Sequence, residues 1–290
     1  MSALIRLLRP LHWLKNGFVF TPLIFSKHLF DKEYNTKAAL AFVAFCLASS
    51  FIYIINDILD READKLHPEK KKRPIASGEI SVSFAIGIAV LLGASSLLVA
   101  QLLPIQFLYI ILIYIAIQFA YSFSLKHIVI LDLFIIATGF MLRVFGGALA
   151  IQVVISHWIV ITTLFLSLFL AASKRRAELV MIQKQHIDTK RRVLQEYSVP
   201  FLDSLLIITT TGMAISYSLY TMAERTIAVF GSEYLIFTTI FVLFGIFRYL
   251  FLVIVKEEGE NPTAILTNDA PTAINLILWV IACVAIIYFS

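Results

Sequence analysis

Charge is scarce in this chain. Asp, Glu, Lys and Arg make up 15% of its 290 residues, against roughly 25% in soluble domains. Its two cysteines, Cys46 and Cys283, lie far apart in apolar runs, which speaks against a disulfide framework or a cysteine zinc site. His12, His127 and His157 show no metal-ligand spacing. The opening "MSALIRLLRPLHWLKNG" lacks a compact apolar core followed by small residues, so no cleavable signal peptide is expected. Hydrophobic side chains are what abounds, at 60%, with a mean hydropathy of +0.88. At that composition the solvent is a bilayer, and charge is confined to loops and a site. An isoelectric point near 9.1 raises nucleic acid as a partner, but topology explains the positive charge better, and no nucleic acid is expected.

Runs of about 17–25 apolar residues are candidate spans. Nine are expected, at 15–31, 37–56, 82–103, 105–122, 130–150, 158–173, 202–221, 234–254 and 271–289. The first is the weakest, broken by Pro22 and Lys27, and Pro104 marks a short turn between the third and fourth. The expected architecture is all-α: one transmembrane domain over 1–290, about nine helices around a central cavity. With the N-terminus inside, eighteen of the twenty-four Lys and Arg residues fall in cytoplasmic segments and four in outer ones. That bias predicts a multi-pass protein of a bacterial-type cytoplasmic membrane, N-terminus in and C-terminus out. The long charged loops after spans 2 and 6 place any chemistry on the cytoplasmic face.

The first of those loops begins "INDILDREADKLHPEKKKRPIASG". If span 2 continues as a helix through Asp64, Asn56 defines 0°, Asp60 falls near 40°, Asp64 near 80° and Asp57 near 100°. Carboxylates on one face repel unless a cation compensates. Oxygen-only donors select a hard divalent ion, with Mg²⁺ bridging one or two carboxylates to a substrate phosphate. Asn56, Asp57, Asp60 and Asp64 are therefore the expected metal residues, with Asn56 and Asp60 the best direct pair. A solvated helix end answering Arg61 and Lys65 is the plainer alternative.

Downstream, Pro68, Pro74 and Gly78 predict a loop, whose cations, Lys70 and Arg73 among them, suit phosphate oxygens that the metal leaves unneutralised. Consecutive cations also suit anionic lipid, and the two roles coexist. Acids followed by an anion loop imply a diphosphate substrate. Arg143, well inside span 5, is costly at that depth unless it faces the interior, and is expected to hold a donor phosphate. Lys126, in "SLKH", is placed to reach the same mouth. Arg248 sits near a span end and suits snorkelling. Asp132 and Asp203 sit at helix starts, where cap or dipole roles are simplest. Trp13 and Trp158 suit the aromatic belt.

"NDILDREAD" matches N-D-x-x-D-x-x-x-D, the first aspartate-rich motif of the UbiA superfamily of intramembrane prenyltransferases, which the chain resembles over nearly its whole length. The resemblance implies a Mg²⁺–diphosphate site at the mouth of a helix-lined cavity, and adds Lys15 and Tyr53 as substrate-binding residues. The chain departs from the usual pattern after span 6. Where most members carry a second aspartate-rich motif, it reads "LAASKRRAELVMIQKQ", so that Lys174, Arg175 and Arg176 look like phosphate ligands. "RPLHWLKN", "HPEKKKRPIASG", "GFMLRVFGGALA", "SKRRAEL", "RRVLQEY" and "FGIFRYLFLV" together resemble one branch, the polyprenyl-phosphate phosphoribosyltransferases, including those acting on decaprenyl phosphate.

That likeness implies a soluble donor, phosphoribosyl diphosphate, and a membrane acceptor, a long-chain polyprenyl phosphate. Asp57, Asp60 and Arg143 become the expected catalytic residues. Two other readings compete. One is transfer of a polyprenyl group to an aromatic acceptor, against which the basic loop after span 6 counts. The other is a transporter, which predicts ionisable residues or broken helices near the midplane; Arg143 alone answers that description.

Overall fold

The computed structural model describes residues 3–66, 70–185, 192–258, 265 and 267–289. His67, Pro68 and Glu69 of the expected anion loop lie outside the described residues, as do Lys190 and Arg191 of the second basic loop. Every described element is a helix, and among the described residues eight helices are long and apolar enough to cross a membrane. The chain folds as two compact units. One comprises Met1–Leu23, His28–Phe123 and Leu142–Val153; the other comprises Ile24–Lys27, Ser124–Met141 and Val154–Ser290.

The first unit is built on α3 (Lys32–Leu59), preceded by α1 (Ala3–Leu8), a 3₁₀ helix (Pro10–Phe20) and α2 (Thr21–Ile24). α4 (Arg61–Lys65), α5 (Val82–Ala100) and α6 (Ile105–Phe123) follow. Ser81 caps α5, its hydroxyl accepting from the Phe84 N–H at 3.3 Å, and the Ser96 hydroxyl donates to the Ala44 carbonyl at 2.9 Å, tying α5 to α3. α7 (Leu131–Ile151) gives its second half to this unit.

The expected α-helical span at 15–31 is not what forms. A 3₁₀ helix starts at Pro10 after the left-handed Arg9, α2 adds one turn to Ile24, and the run is over by Lys27, at φ 63°. It still runs antiparallel along α3 from end to end. Arg9 pairs with Asp57, the Trp13 indole donates to the Ser50 hydroxyl at 3.0 Å, and Asn16 bonds Cys46 and Ser49. Val19 packs with Ala41, Ala44 and Phe45, and Leu23 shares a cluster with Ala38. From Asp57 to Ala38 an α-helix rises about 28 Å. The fourteen steps from Arg9 to Leu23 cover that distance at about 2.0 Å each, the rise of a 3₁₀ helix, and about 30 Å is the hydrocarbon thickness. A 3₁₀ helix has three residues per turn, so Trp13, Asn16 and Val19 line one edge.

Close approach to α7 demands small residues. A Cβ on Gly147 would lie 2.0 Å from the Val19 carbonyl oxygen, and one on Gly146 2.7 Å from the Phe45 ring.

The second unit takes the first half of α7, then α8 (His157–Gln185), the short α9 (Arg192–Glu196), α10 (Val199–Met222), α11 (Glu224–Phe230), α12 (Thr239–Ile254) and α13 (Ala270–Phe289). Ser198 caps α10, accepting from the Phe201 N–H at 3.3 Å. The Thr162 hydroxyl donates to Ser216 at 2.9 Å, tying α8 to α10. Phe169, Ala172, Leu206, Tyr249 and Leu252 form the core between α8, α10 and α12.

Candidate active site

The end of α3 carries the acid cluster, but the helix is interrupted within it. Asp60 adopts φ −88°, ψ 4° and closes α3, with its N–H on the Asn56 carbonyl at 2.9 Å. α4 then restarts, the Asp64 N–H donating to the Asp60 carbonyl at 2.8 Å. The uninterrupted helix expected through Asp64 is therefore corrected to two helices joined at Asp60. Asp57 and Asp64 are buried, whereas Asn56 and Asp60 are half-buried.

Arg73 folds back over this end. Its Nη1 donates to Asp64 Oδ2 at 2.6 Å and to Asp57 Oδ1 at 3.1 Å. Arg9 donates to the same Asp57 oxygen. The strand of loop behind Arg73 is a tight turn: the Ser77 N–H reaches the Arg73 carbonyl at 2.9 Å, and Gly78 supplies φ 82°, a conformation that glycine adopts without strain. Arg6 binds Glu79 and the Lys72 carbonyl, so α1 holds the loop. Lys70 starts a one-turn 3₁₀ helix ending at Lys72.

Does a hard divalent cation fit here? A cationic nitrogen already stands between two buried carboxylate oxygens, and the donors offered are all oxygen, as such an ion requires. Yet among the described residues no three acidic, histidine or cysteine side chains gather into a metal cage. Of the four expected metal residues, Asp57 and Asp64 converge on Arg73, and Asn56 and Asp60 lie half-buried on the same stretch. Such an open set suits Mg²⁺, which keeps waters and takes further oxygens from a substrate.

Tyr53 lies one turn before Asp57, its ring 5.2 Å beneath the Arg9 guanidinium and edge-on to His12 at 5.1 Å. Lys15 is half-buried in the 3₁₀ helix. Arg143 is buried, as its depth predicts, and Nε donates to Asn16 Oδ1 at 2.7 Å while Nη2 donates to the Tyr114 hydroxyl at 2.9 Å. Its guanidinium also lies 5.8 Å from the Phe45 ring and 4.9 Å from the Tyr114 ring. This is a brace joining the 3₁₀ helix, α3, α6 and α7.

In the second unit the basic run on α8 is an ion-pair network. Arg175, 1% exposed, donates from Nε to Asp132 Oδ2 at 2.6 Å and from Nη1 to Glu178 Oε2 at 2.7 Å. Lys174 lies 3.9 Å from Glu178. Arg176 pairs with Asp203 and donates to the Val253 carbonyl at 2.8 Å. Asp132, in the first turn of α7, and Asp203, both expected in cap or dipole roles, are also partners of these arginines. Asp132 is 0% exposed and also accepts from the Tyr197 hydroxyl at 2.7 Å. Burial, and then that hydrogen bond, push the Tyr197 hydroxyl well above its usual range, so it remains a donor. Lys126 sits half-buried in the 3₁₀ turn Leu125–His127. Arg248, expected to snorkel, instead grips Asp269 through two hydrogen bonds of 3.1 and 2.6 Å. That grip holds the Asp269 carboxyl below its usual range, with Thr272 assisting.

So the structure gathers Tyr53, Asp57, Asp64, Arg73 and the unforeseen Arg9 in one unit, and Lys174, Arg175 and the unforeseen Asp132, Glu178 and Tyr197 in the other. Arg143, in the first of these units, is bonded to Asn16 and Tyr114.

The model of the UbiA prenyltransferase family matches residues 26–268. The chain belongs to that family, and is a multi-pass membrane protein. The decaprenyl-phosphate phosphoribosyltransferase of Mycolicibacterium smegmatis is 34% identical over 300 residues, covering 100% of this chain and 94% of that one. The protein of the same description from Corynebacterium glutamicum is 32% identical over 293 residues, covering 99% and 87%. The structure of a UbiA homolog from Archaeoglobus fulgidus bound to GPP and Mg²⁺ superposes with a TM-score of 0.73 at 22% identity, covering 99% of both chains. That last likeness is one of fold.

Proposed function

We propose that this protein transfers a 5-phosphoribosyl group from phosphoribosyl diphosphate to a polyprenyl phosphate and releases diphosphate. The observation that carries it is end-to-end similarity to proteins of that description. The chain's own chemistry agrees: carboxylates are concentrated at the end of α3, while the corresponding run on α8 is basic, with Lys174 half-buried and Arg175 and Arg176 held by Asp132, Glu178 and Asp203. The protein is read as lying in a bacterial-type cytoplasmic membrane, with the N-terminus and the end of α3 cytoplasmic. Counting the 3₁₀ segment with the eight long helices among the described residues gives nine passes in this reading, which puts the C-terminus outside.

In this reading Asp57 and Asp64, with Asn56 and Asp60 beside them, hold Mg²⁺, which when bound neutralises the departing diphosphate. Arg73 and Lys70 take diphosphate oxygens, and Lys126 and Lys174 the remaining phosphates. The C1–O bond to diphosphate breaks with its electron pair leaving on diphosphate. A lipid phosphate oxygen forms the new bond to C1 as positive charge develops on the ribose ring. The acceptor is anionic at neutral pH, so no residue need remove a proton. Arg143 and Arg175 act through structure: one braces the 3₁₀ helix, the other the loop carrying Lys126.

Two labelled donors test the proposal. Ribose-labelled phosphoribosyl diphosphate is offered with polyprenyl phosphate, and labelled prenyl diphosphate with an aromatic acceptor. Label in lipid from the first alone is expected. Product from the second alone would replace the reading with prenyl transfer.

A further inference from the structure

The loop between α6 and α7 carries a backbone anomaly. Ile130 has φ 68°, in the left-handed region where a β-branched residue is strained and persists only if its surroundings hold it. Four residues before it is Lys126. The surroundings are specific. The Ile130 N–H donates to the Tyr197 hydroxyl at 2.7 Å, and that hydroxyl donates to Asp132 Oδ1 at 2.7 Å. Asp132 Oδ2 in turn accepts from Arg175 Nε at 2.6 Å, and Arg175 Nη1 reaches Glu178 at 2.7 Å. Tyr197 is 5% exposed, Asp132 0% and Arg175 1%. A single buried hydroxyl thus joins a strained loop residue to a buried ion pair.

We infer that Tyr197 is a positioning residue for the donor substrate: its hydroxyl, fixed by Asp132 and Arg175, locks the Ser124–Ile130 loop and thereby sets where the Lys126 ammonium stands. The hydroxyl serves as acceptor and donor at once, which phenylalanine cannot do. Its two partners come from residues 130 and 132, flanking the start of α7, so the lock holds the exit of the loop to the helix. The 3₁₀ turn Leu125–His127 fixes the other side, with the His127 N–H on the Ser124 carbonyl and the Ile128 N–H on the Leu125 carbonyl, each at 3.2 Å. Without the hydroxyl, Ile130 relaxes toward negative φ and the turn carrying Lys126 moves with it. The "SKRRAEL" run then has a role that phosphate binding alone does not describe: Arg175 is the anchor of this lock. The inference rests on reading Lys126 as a ligand of the donor's phosphates.

The test measures kinetics for Tyr197→Phe, Lys126→Ala and the double variant in the full-length enzyme in lipid. Tyr197→Phe is expected to raise KM for phosphoribosyl diphosphate about tenfold, leaving kcat and the acceptor KM within about twofold. In the Lys126→Ala background it is expected to add nothing, because the group it positions is gone. A Tyr197→Phe enzyme with unchanged donor KM, beside a Lys126→Ala enzyme with raised KM, overturns the inference and leaves the proposed reaction standing. Effects that multiply in the double variant overturn it too. A Lys126→Ala enzyme with wild-type donor KM refutes the role of Lys126 itself. If Tyr197→Phe does not fold, hydrogen exchange of the wild-type enzyme decides: strong protection of the Ile130 amide relative to the neighbouring Val129 amide is expected, and equal exchange overturns the lock.

Discussion

Arg73 and Asp64 are nine residues apart, yet the guanidinium Nη1 lies 2.6 Å from the carboxylate Oδ2, and the same nitrogen reaches Asp57. Arg73 stands between two buried carboxylates, where the proposed function puts a metal ion. Removing it leaves Asp64 without this partner and Asp57 with Arg9 alone, so two like charges face each other with less compensation unless another cation arrives. Arg73→Gln is therefore expected to lower the unfolding temperature in chelator and to recover more of it on adding Mg²⁺ than the wild type does. Thermal unfolding with and without Mg²⁺ measures this. Mn²⁺ titration by electron paramagnetic resonance should show about tenfold tighter binding by the variant, for loss of a competitor.

Gly147 faces the backbone of the 3₁₀ helix. An added methyl 2.0 Å from the Val19 carbonyl oxygen forces α7 or the 3₁₀ helix to shift. Gly147→Ala is expected to cost about 1–3 kcal/mol or more. Gly87→Ala on α5, where a Cβ meets nothing within 4 Å, is expected to be neutral or to stabilise by about 0.5–1 kcal/mol. Denaturation of the two variants in the same detergent checks the contrast.

Arg143 and Asn16 form one buried unit, the amide oxygen accepting from Nε at 2.7 Å and the amide nitrogen donating to Ser49 and Cys46. Asn16→Ala strands a buried charge and is expected to destabilise by about 2–3 kcal/mol. In the Arg143→Met background the same change should cost far less, a coupling of about 1–3 kcal/mol in a double-mutant cycle. Additive losses would count against the brace.

Metal dependence follows from the oxygen donors at the end of α3. Chelator is expected to abolish turnover and Mg²⁺ to restore it. Asp57→Asn and Asp60→Asn are each expected to lower kcat/KM about a hundredfold or more, through lost support of the departing diphosphate. The measurement is initial rate against free Mg²⁺.

The membrane class and eight of the crossings were legible because long apolar runs separated by charge have one physical meaning. The acids at the end of α3 stood out from their spacing, but the helix breaks at Asp60, and the pair that meets on Arg73 is Asp57 and Asp64 rather than Asn56 and Asp60. The first crossing was misplaced because an apolar run does not distinguish period 3.0 from 3.6; only the edge Trp13, Asn16 and Val19, seen against α3, reveals the tighter helix. The arginine partners were hidden for another reason. Arg175 and Asp132 are 43 residues apart, and Arg248 and Asp269 are 21 apart, and no local pattern links a cation to a distant acid. Isolated acids at helix starts therefore read as caps until the fold brought their partners to them.

Phosphoribosyl transfer is tested most directly with purified enzyme, polyprenyl phosphate in vesicles, Mg²⁺ and phosphoribosyl diphosphate labelled in the ribose. The account predicts a lipid product heavier by one phosphoribosyl group, carrying the label, with one diphosphate released per product formed. Diphosphate release without labelled lipid, or a labelled lipid that forms equally well after Asp57→Asn and Asp60→Asn, would contradict it.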